Sequence, residues 1–161
     1  MKAIVVYYSL EGSTKYVAEK IAQGTGADIL RLEPVKEYPK GNMSKFFWGG
    51  KSVVFGEKPK LASYRFAKED YDYIIIGTPI WAGSFTPPVK SFLSENDLSG
   101  KNIALFACHA GGGAEKCFSK LRKELTDCNI TSVLSLIEPG KNKKEENVIK
   151  IEEFCISING V

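Results

Sequence analysis

Ser9, Ser13 and Thr14 bracket Gly12 in the stretch Tyr7-Tyr8-Ser9-Leu10-Glu11-Gly12-Ser13-Thr14-Lys15. The apolar run Ala3-Ile4-Val5-Val6 precedes it, and Tyr16, Val17 and Ile21 follow at helical spacing. The order reads strand, tight loop, helix. The first amides of such a helix lack backbone partners and its dipole favours negative charge, so the loop suits an anion. Three hydroxyls add donors, and Gly12 removes the side chain where a ligand must approach the backbone closely. Ser13 or Thr14 equally suits a plain helix N-cap. The loop alone leaves both readings open.

The elements that must position this loop recur along the chain. Strand signals fall at Ala3–Tyr8, Asp28–Leu32, Tyr73–Ile76, Ile103–Ala107 and Thr131–Ile137, mostly as continuous apolar runs that suit strands covered on both faces. Helical segments fall between them at about Thr14–Gln23, Met43–Val54, Pro87–Ser94, Ala114–Thr126 and Lys144–Ile158, the last with Val148, Ile151, Cys155 and Ile158 on one stripe. Such alternation predicts an α/β fold, a doubly wound five-stranded parallel sheet with helices on both faces. In strand order 2-1-3-4-5, a ligand sits beyond the C-terminal strand ends, at the switch between strands 1 and 3.

The loops after strands 3 and 4 must then hold the rest of the same ligand. The first is Gly77-Thr78-Pro79-Ile80-Trp81-Ala82-Gly83-Ser84, a rigid turn bearing a large flat aromatic. The second is Cys108-His109-Ala110-Gly111-Gly112-Gly113, whose glycines let backbone amides reach the edge of a flat ring system. Each also has a plain reading, Trp81 as a buried loop anchor and the glycines as a flexible turn.

Residues Ser9 to Thr14 are similar to the phosphate loop of the flavodoxins, Thr/Ser-x-Thr-Gly-x-Thr, with Glu11 where that family usually has Thr. A carboxylate there must point to solvent or weaken phosphate binding. With the other two loops and the order of elements, the resemblance to the flavodoxin family spans essentially the whole chain, residues 1–161, as a single flavodoxin-like domain. It implies FMN, whose terminal phosphate the first loop would close around through Ser9, the Glu11 backbone, Gly12, Ser13 and Thr14. It implies ring and ribityl contacts from Thr78, Pro79, Ile80, Trp81, Ala82 and Gly83, and from Cys108, His109, Ala110, Gly111, Gly112 and Gly113.

Rival folds fail on residues. A receiver domain needs an acidic cluster after strand 1 and Asp ending strand 3, where this chain has Ser9 and Gly77-Thr78. An α/β hydrolase needs Gly-x-Ser-x-Gly, which is missing. Gly111-Gly112-Gly113-Ala114 follows strand 4 rather than strand 1, unlike a dinucleotide fingerprint. Gly50-Lys51-Ser52 resembles the tail of a nucleotide P-loop, but position 45 is Lys and no strand precedes it.

With 161 residues, 43% hydrophobic, the chain fits one core. A net charge of +3 with scattered Lys and Arg excludes a nucleic-acid footprint. The start is too short for a signal peptide's apolar region, and no run reaches the length of a membrane span, so a cytoplasmic place is expected. Cys108, Cys117, Cys128 and Cys155 lack metal-type spacing, and no metal is expected. The passage from Glu33 to Asp70 is long for a connection; its trio Phe46-Phe47-Trp48 suits an anchor on the core. The charge run Lys141-Asn142-Lys143-Lys144-Glu145-Glu146 suits a solvated turn leading into the last helix.

The resemblance implies electron transfer through a non-covalent flavin. The alternative is an NAD(P)H-dependent FMN oxidoreductase acting on a quinone or similar acceptor, and a further one is a non-enzymatic flavin-binding module, since a fold does not dictate function. Partners would be a redox protein or a small electron donor or acceptor such as a nicotinamide or quinone. Flavodoxin carriers flip a peptide beside the flavin N5, usually at Gly; Ala82 takes that place here, and its Cβ penalises positive φ. The third loop has no Tyr to cover the outer flavin face, and the slightly basic balance differs from acidic carriers. All three departures favour the reductase. His109, the single histidine, is either a capped structural residue or a cation at the N1/O2 edge of the flavin. Cys108 suits a small buried residue better than a redox thiol.

Overall fold

The computed structural model describes residues 1–40, 50–141 and 145–160. Five parallel strands form one sheet in the order β2-β1-β3-β4-β5. They are β1 Ala3–Tyr7, β2 Asp28–Arg31, β3 Tyr73–Pro79, β4 Asn102–His109 and β5 Asn129–Ile137. The helices with both ends described are α1 Ser13–Thr25, α2 Pro87–Glu95, α3 Ala114–Glu124 and α4 Glu145–Asn159. Observed ends lie within a few residues of those expected, and β3 runs on through Pro79.

Alternation along β1 explains why helices cover both faces. Ala3, Val5 and Tyr7 point to the side where α1 brings Val17, Ala18 and Ile21 and α4 brings Ile151, Phe154 and Ile158. Ile4, Val6 and Tyr8 point to the other, against Val89 and Phe92 of α2 and Cys117, Phe118 and Leu121 of α3. Both faces are apolar, so β1 reads as an unbroken apolar run.

Two expectations change. The edge strands are not covered on both faces: Ile29 of β2 is 46% exposed, and Val133 and Ile137 of β5 face solvent while Leu134 and Leu136 are buried. An edge strand has a helix over only part of its width, so its apolar run overstates its burial. On α4, Asn147, Ile151, Phe154, Cys155 and Ile158 are the buried residues, while Val148 is 38% exposed. Phe154, the bulkiest apolar side chain on that helix, sets which face turns inward.

The long connection between β2 and β3 is pinned at its base by an antiparallel pairing. Val35 N–H donates to Lys60 O at 2.8 Å and Ala62 N–H to Glu33 O at 2.7 Å. Of the helix expected over Met43–Val54, residues 50–54 are helical. Phe46, Phe47 and Trp48 lie outside the described residues. No helix among the described residues is long and apolar enough to cross a membrane.

Candidate functional site

A cleft of about 270 Å³ opens at the C-terminal ends of the strands, where β1 and β3 part toward opposite halves of the sheet. Tyr8 N–H donates to Gly77 O at 3.2 Å, and there the chain leaves the sheet. Ser9 Oγ then accepts from Gly12 N–H at 3.1 Å, and Arg31 Nη2 donates to Ser9 O at 3.4 Å. Together they fold the loop back under the start of α1.

That helix start removes the plain-cap reading of the loop. Its N-cap is Gly12, at φ 101° and ψ −14°, and no side chain caps it; neither Ser13 nor Thr14 is the cap. Tyr16 N–H is the donor to Gly12 O at 2.9 Å, so the amides of Ser13, Thr14 and Lys15 precede the first intrahelical bond. Uncapped amides at a positive dipole end hold an anion. Ser9, Glu11, Ser13 and Thr14 line the cleft, while Gly12 acts through its backbone. Thr14 is nearly sealed and its hydroxyl bonds the Cys108 thiol, tying the first loop to the third.

The loop after β3 forms the opposite wall. Pro79, Ile80, Trp81 and Ala82 line it. Trp81 N–H donates to Ser84 O and Ser84 N–H to Trp81 O, both at 2.9 Å, closing a two-residue turn over Ala82 and Gly83. Both central residues sit at positive φ, 48° and 66°, as a primed turn requires. Although the Ala82 Cβ penalises positive φ, the fold already holds this turn there. Thr78 is not a wall residue. It is fully buried, and its Oγ1 accepts from Thr86 N–H at 3.0 Å and donates to Pro79 O at 2.8 Å. Because β3 runs three residues further than expected, Thr78 is drawn into the sheet. Gly83 also stays off the cleft, facing the Lys116 side chain.

From the loop after β4, Cys108, His109 and Ala110 reach the cleft. Ile80 N–H donates to Cys108 O at 2.9 Å and binds this loop to the previous one. Gly111, Gly112 and Gly113 are exposed and do not line the cleft. Gly113 caps α3 at φ 87°, and a Cβ on it would stand 3.2 Å from Gly83 Cα. Gly113 thus lets two loops touch, while a Cβ on Gly111 or Gly112 would meet nothing within 4 Å.

His109 Nε2 lies 2.8 Å from Ser135 Oγ, and its buried Nδ1 has no hydrogen-bond partner among the described residues. Burial lowers its pKa, which favours the neutral ring over the cation. Burial likewise pushes the Cys108 thiol up to about 12, which makes it a poor nucleophile.

Sequence reasoning missed two contributors. Glu138, Pro139 and Lys141, in the loop after β5, form a further wall, and Leu10 and Gly50 complete the lining. Pro139-Gly140 is a turn signal at the end of a strand, which could have marked that loop. Tyr38, from the long connection, stands edge-on to Trp81, with ring centroids 5.1 Å apart. An aromatic inside a long irregular segment carries no periodicity that would find it.

Comparison with known proteins gives the same architecture. The chain superposes on a Bacteroides uniformis protein with TM-score 0.79 at 21% identity, over 95% of this chain and 96% of that one. A Lactobacillus acidophilus flavoprotein in complex with FMN matches with TM-score 0.74 at 21% identity, over 87% and 95%. Oxidised flavodoxin 2 from Bacillus cereus matches with TM-score 0.65 at 18% identity, over 99% of each chain. The family model described as Flavodoxin matches residues 2–146, and the chain belongs to the flavodoxin family.

Proposed function

We propose that the cleft holds FMN non-covalently and that the protein transfers electrons through it. The observation that carries this is the start of α1, whose glycine-capped amides open at Ser13 and Thr14 into the cleft that Trp81 walls. The residues present fit the group. Ser9, Ser13 and Thr14 supply hydroxyls for a phosphate, and Pro79, Ile80 and Trp81 an apolar wall for a flat ring. FMN rather than FAD suits a loop that closes around a terminal phosphate. When bound, FMN supplies reversible one- and two-electron chemistry.

The chain's own part is to bind, orient and exclude water. Neutral His109 is held through Nε2 by Ser135, which fixes the imidazole at the edge of the cleft. The turn over Ala82 and Gly83 is already at positive φ, so Ala82 does not argue against a one-electron carrier. A redox protein would then be the partner, in the cytoplasm.

A second reading, an NAD(P)H-dependent FMN oxidoreductase acting on a quinone or similar acceptor, is favoured by the exposure of Ala110 where it lines the cleft. A regulatory flavin-binding module is the third. Stepwise reduction of the FMN-reconstituted protein, followed by visible spectroscopy, separates them. Two resolved one-electron phases are expected of the carrier. One two-electron phase, with direct oxidation of NADH in the presence of a quinone, would favour the oxidoreductase. A protein that takes up no FMN would end both readings.

A further inference from the structure

The loop after β5 comes against the first turn of α1 at van der Waals limits. A Cβ on Gly140 would stand 2.6 Å from Ser13 Oγ and 3.0 Å from Ser13 Cα, so only glycine permits this approach. The loop is also shaped by its neighbour on the third wall. Glu138 N–H donates to His109 O at 2.8 Å, and Glu138 O accepts from Lys141 N–H at 3.0 Å, with Glu138 held at φ 41°. A non-glycine residue keeps that conformation only where its surroundings enforce it. The result is that Lys141 lines the same cleft as Ser13 and Thr14.

The charges around the cleft give this placement a consequence. Among the described lining residues, Glu11 and Glu138 are carboxylates and Lys141 is the cation. Lys15 does not line the cleft and pairs with Glu19 at 3.7 Å, and Arg31 holds Ser9 O and approaches Glu33 at 3.9 Å. A phosphate at the start of α1 meets the uncapped amides there, and the Lys141 ammonium lines the same cleft. The Lys141 Nζ stands 3.5 Å from Glu138 Oε1, on a side chain that is 74% exposed and free to swing.

Resting on the FMN reading above, we propose that Lys141 is a phosphate-binding residue of the cleft, exchanging its ion pair with Glu138 for the phosphate when the ligand enters. The loop after β5 is thereby a fourth binding loop. A dianionic ligand group gains more from the ammonium than the single Glu138 carboxylate does, which drives the exchange.

The test compares FMN with riboflavin, which lacks the phosphate, on the full chain. Dissociation constants are measured by flavin fluorescence for the wild type, Lys141→Gln, Lys141→Glu and Lys141→Arg. Lys141→Gln is expected to weaken FMN about twofold to fivefold, the upper range of an exposed ion pair. Lys141→Glu is expected to weaken it further, Lys141→Arg to restore it, and riboflavin affinity to stay unchanged throughout. At about 1 M NaCl, where the screening length is about 3 Å, the difference should shrink. Unchanged FMN affinity in Lys141→Gln, or equal loss of FMN and riboflavin, would overturn the assignment. If the wild type binds neither flavin, the FMN reading fails, and inorganic phosphate decides the residue's role on its own. Phosphate should raise the wild-type melting temperature more than that of Lys141→Gln, and an equal rise in both would sink the proposal.

Discussion

Trp81 stands edge-on to Tyr8, with ring centroids 5.8 Å apart and planes at 89°. Tyr38 closes the trio at 80° to Trp81, so two perpendicular rings fix the indole as one wall of the cleft. Trp81→Leu removes both edge contacts, each worth about 0.5–1.5 kcal/mol beyond burial. We expect a stability loss of about 1–3 kcal/mol by urea denaturation, together with weaker FMN binding. In the wild type FMN should quench indole emission, and the variant should lose part of that quenching. If Trp81→Leu keeps the FMN affinity and the flavin spectrum, the indole is only an anchor for its loop.

Ala82→Gly should stabilise the protein. The primed turn between Trp81 and Ser84 holds Ala82 at φ 48°, a left-handed conformation that costs an L-residue roughly 1–2 kcal/mol. Glycine removes that cost but loosens the unfolded chain by about 0.4–1 kcal/mol, leaving a net gain below about 1.5 kcal/mol. For a chain of this size each kcal/mol shifts the melting temperature by about 2–4 °C. Calorimetry showing a lower melting temperature in Ala82→Gly would mean that the Ala82 methyl makes a contact worth more than the strain.

The strand order and both helix layers were legible in the sequence because the inner strands and the helix stripes are periodic, and burial enforces a period along a whole element. Gly12 and Thr14 were legible for another reason: a tight turn between strand and helix admits few residue types. What stayed hidden depends on contacts between segments far apart in the chain. The choice of Gly12 rather than Ser13 as cap, the withdrawal of Thr78 beneath the turn by Thr86, and the approach of Gly140 to Ser13 are of this kind. Lys141 sat in a mixed charge run whose composition matches any solvated turn, so only the fold distinguishes it.

Thr14→Ala tests the first loop directly. The side chain is nearly sealed, at 1% exposure, and its hydroxyl spans the anion cradle and the Cys108 thiol. Losing a charge-assisted hydrogen bond costs about 1.5–3 kcal/mol, or roughly a tenfold to hundredfold weakening of FMN. Thr14→Ser keeps the hydroxyl and should keep most of the affinity. Fluorescence titration that finds Thr14→Ala as tight as wild type would remove Thr14 from the phosphate contacts.

The buried thiols predict how stability depends on alkaline pH. Burial raises Cys108 and Cys117 from 9.0 to about 12, and it raises the Tyr8 hydroxyl as well. In each case the neutral form is favoured in the fold, so above about pH 9 the unfolded chain loses protons that the native chain keeps. Stability is then full below pH 9 and falls as pH rises from 9 toward 12. At about pH 10 one such thiol weakens the fold by about 1.4 kcal/mol, the worth of one pH unit of differential titration. Urea midpoints should therefore decline between pH 8.5 and about 10.5, and Cys117→Ala should flatten the decline while lowering stability at neutral pH through the cavity it leaves. Native Cys108 and Cys117 should also resist iodoacetamide at about pH 8, since the thiolate is the nucleophile. Rapid alkylation of both thiols in the folded protein, or a midpoint that is flat across this range, would show that they are not held neutral as burial requires.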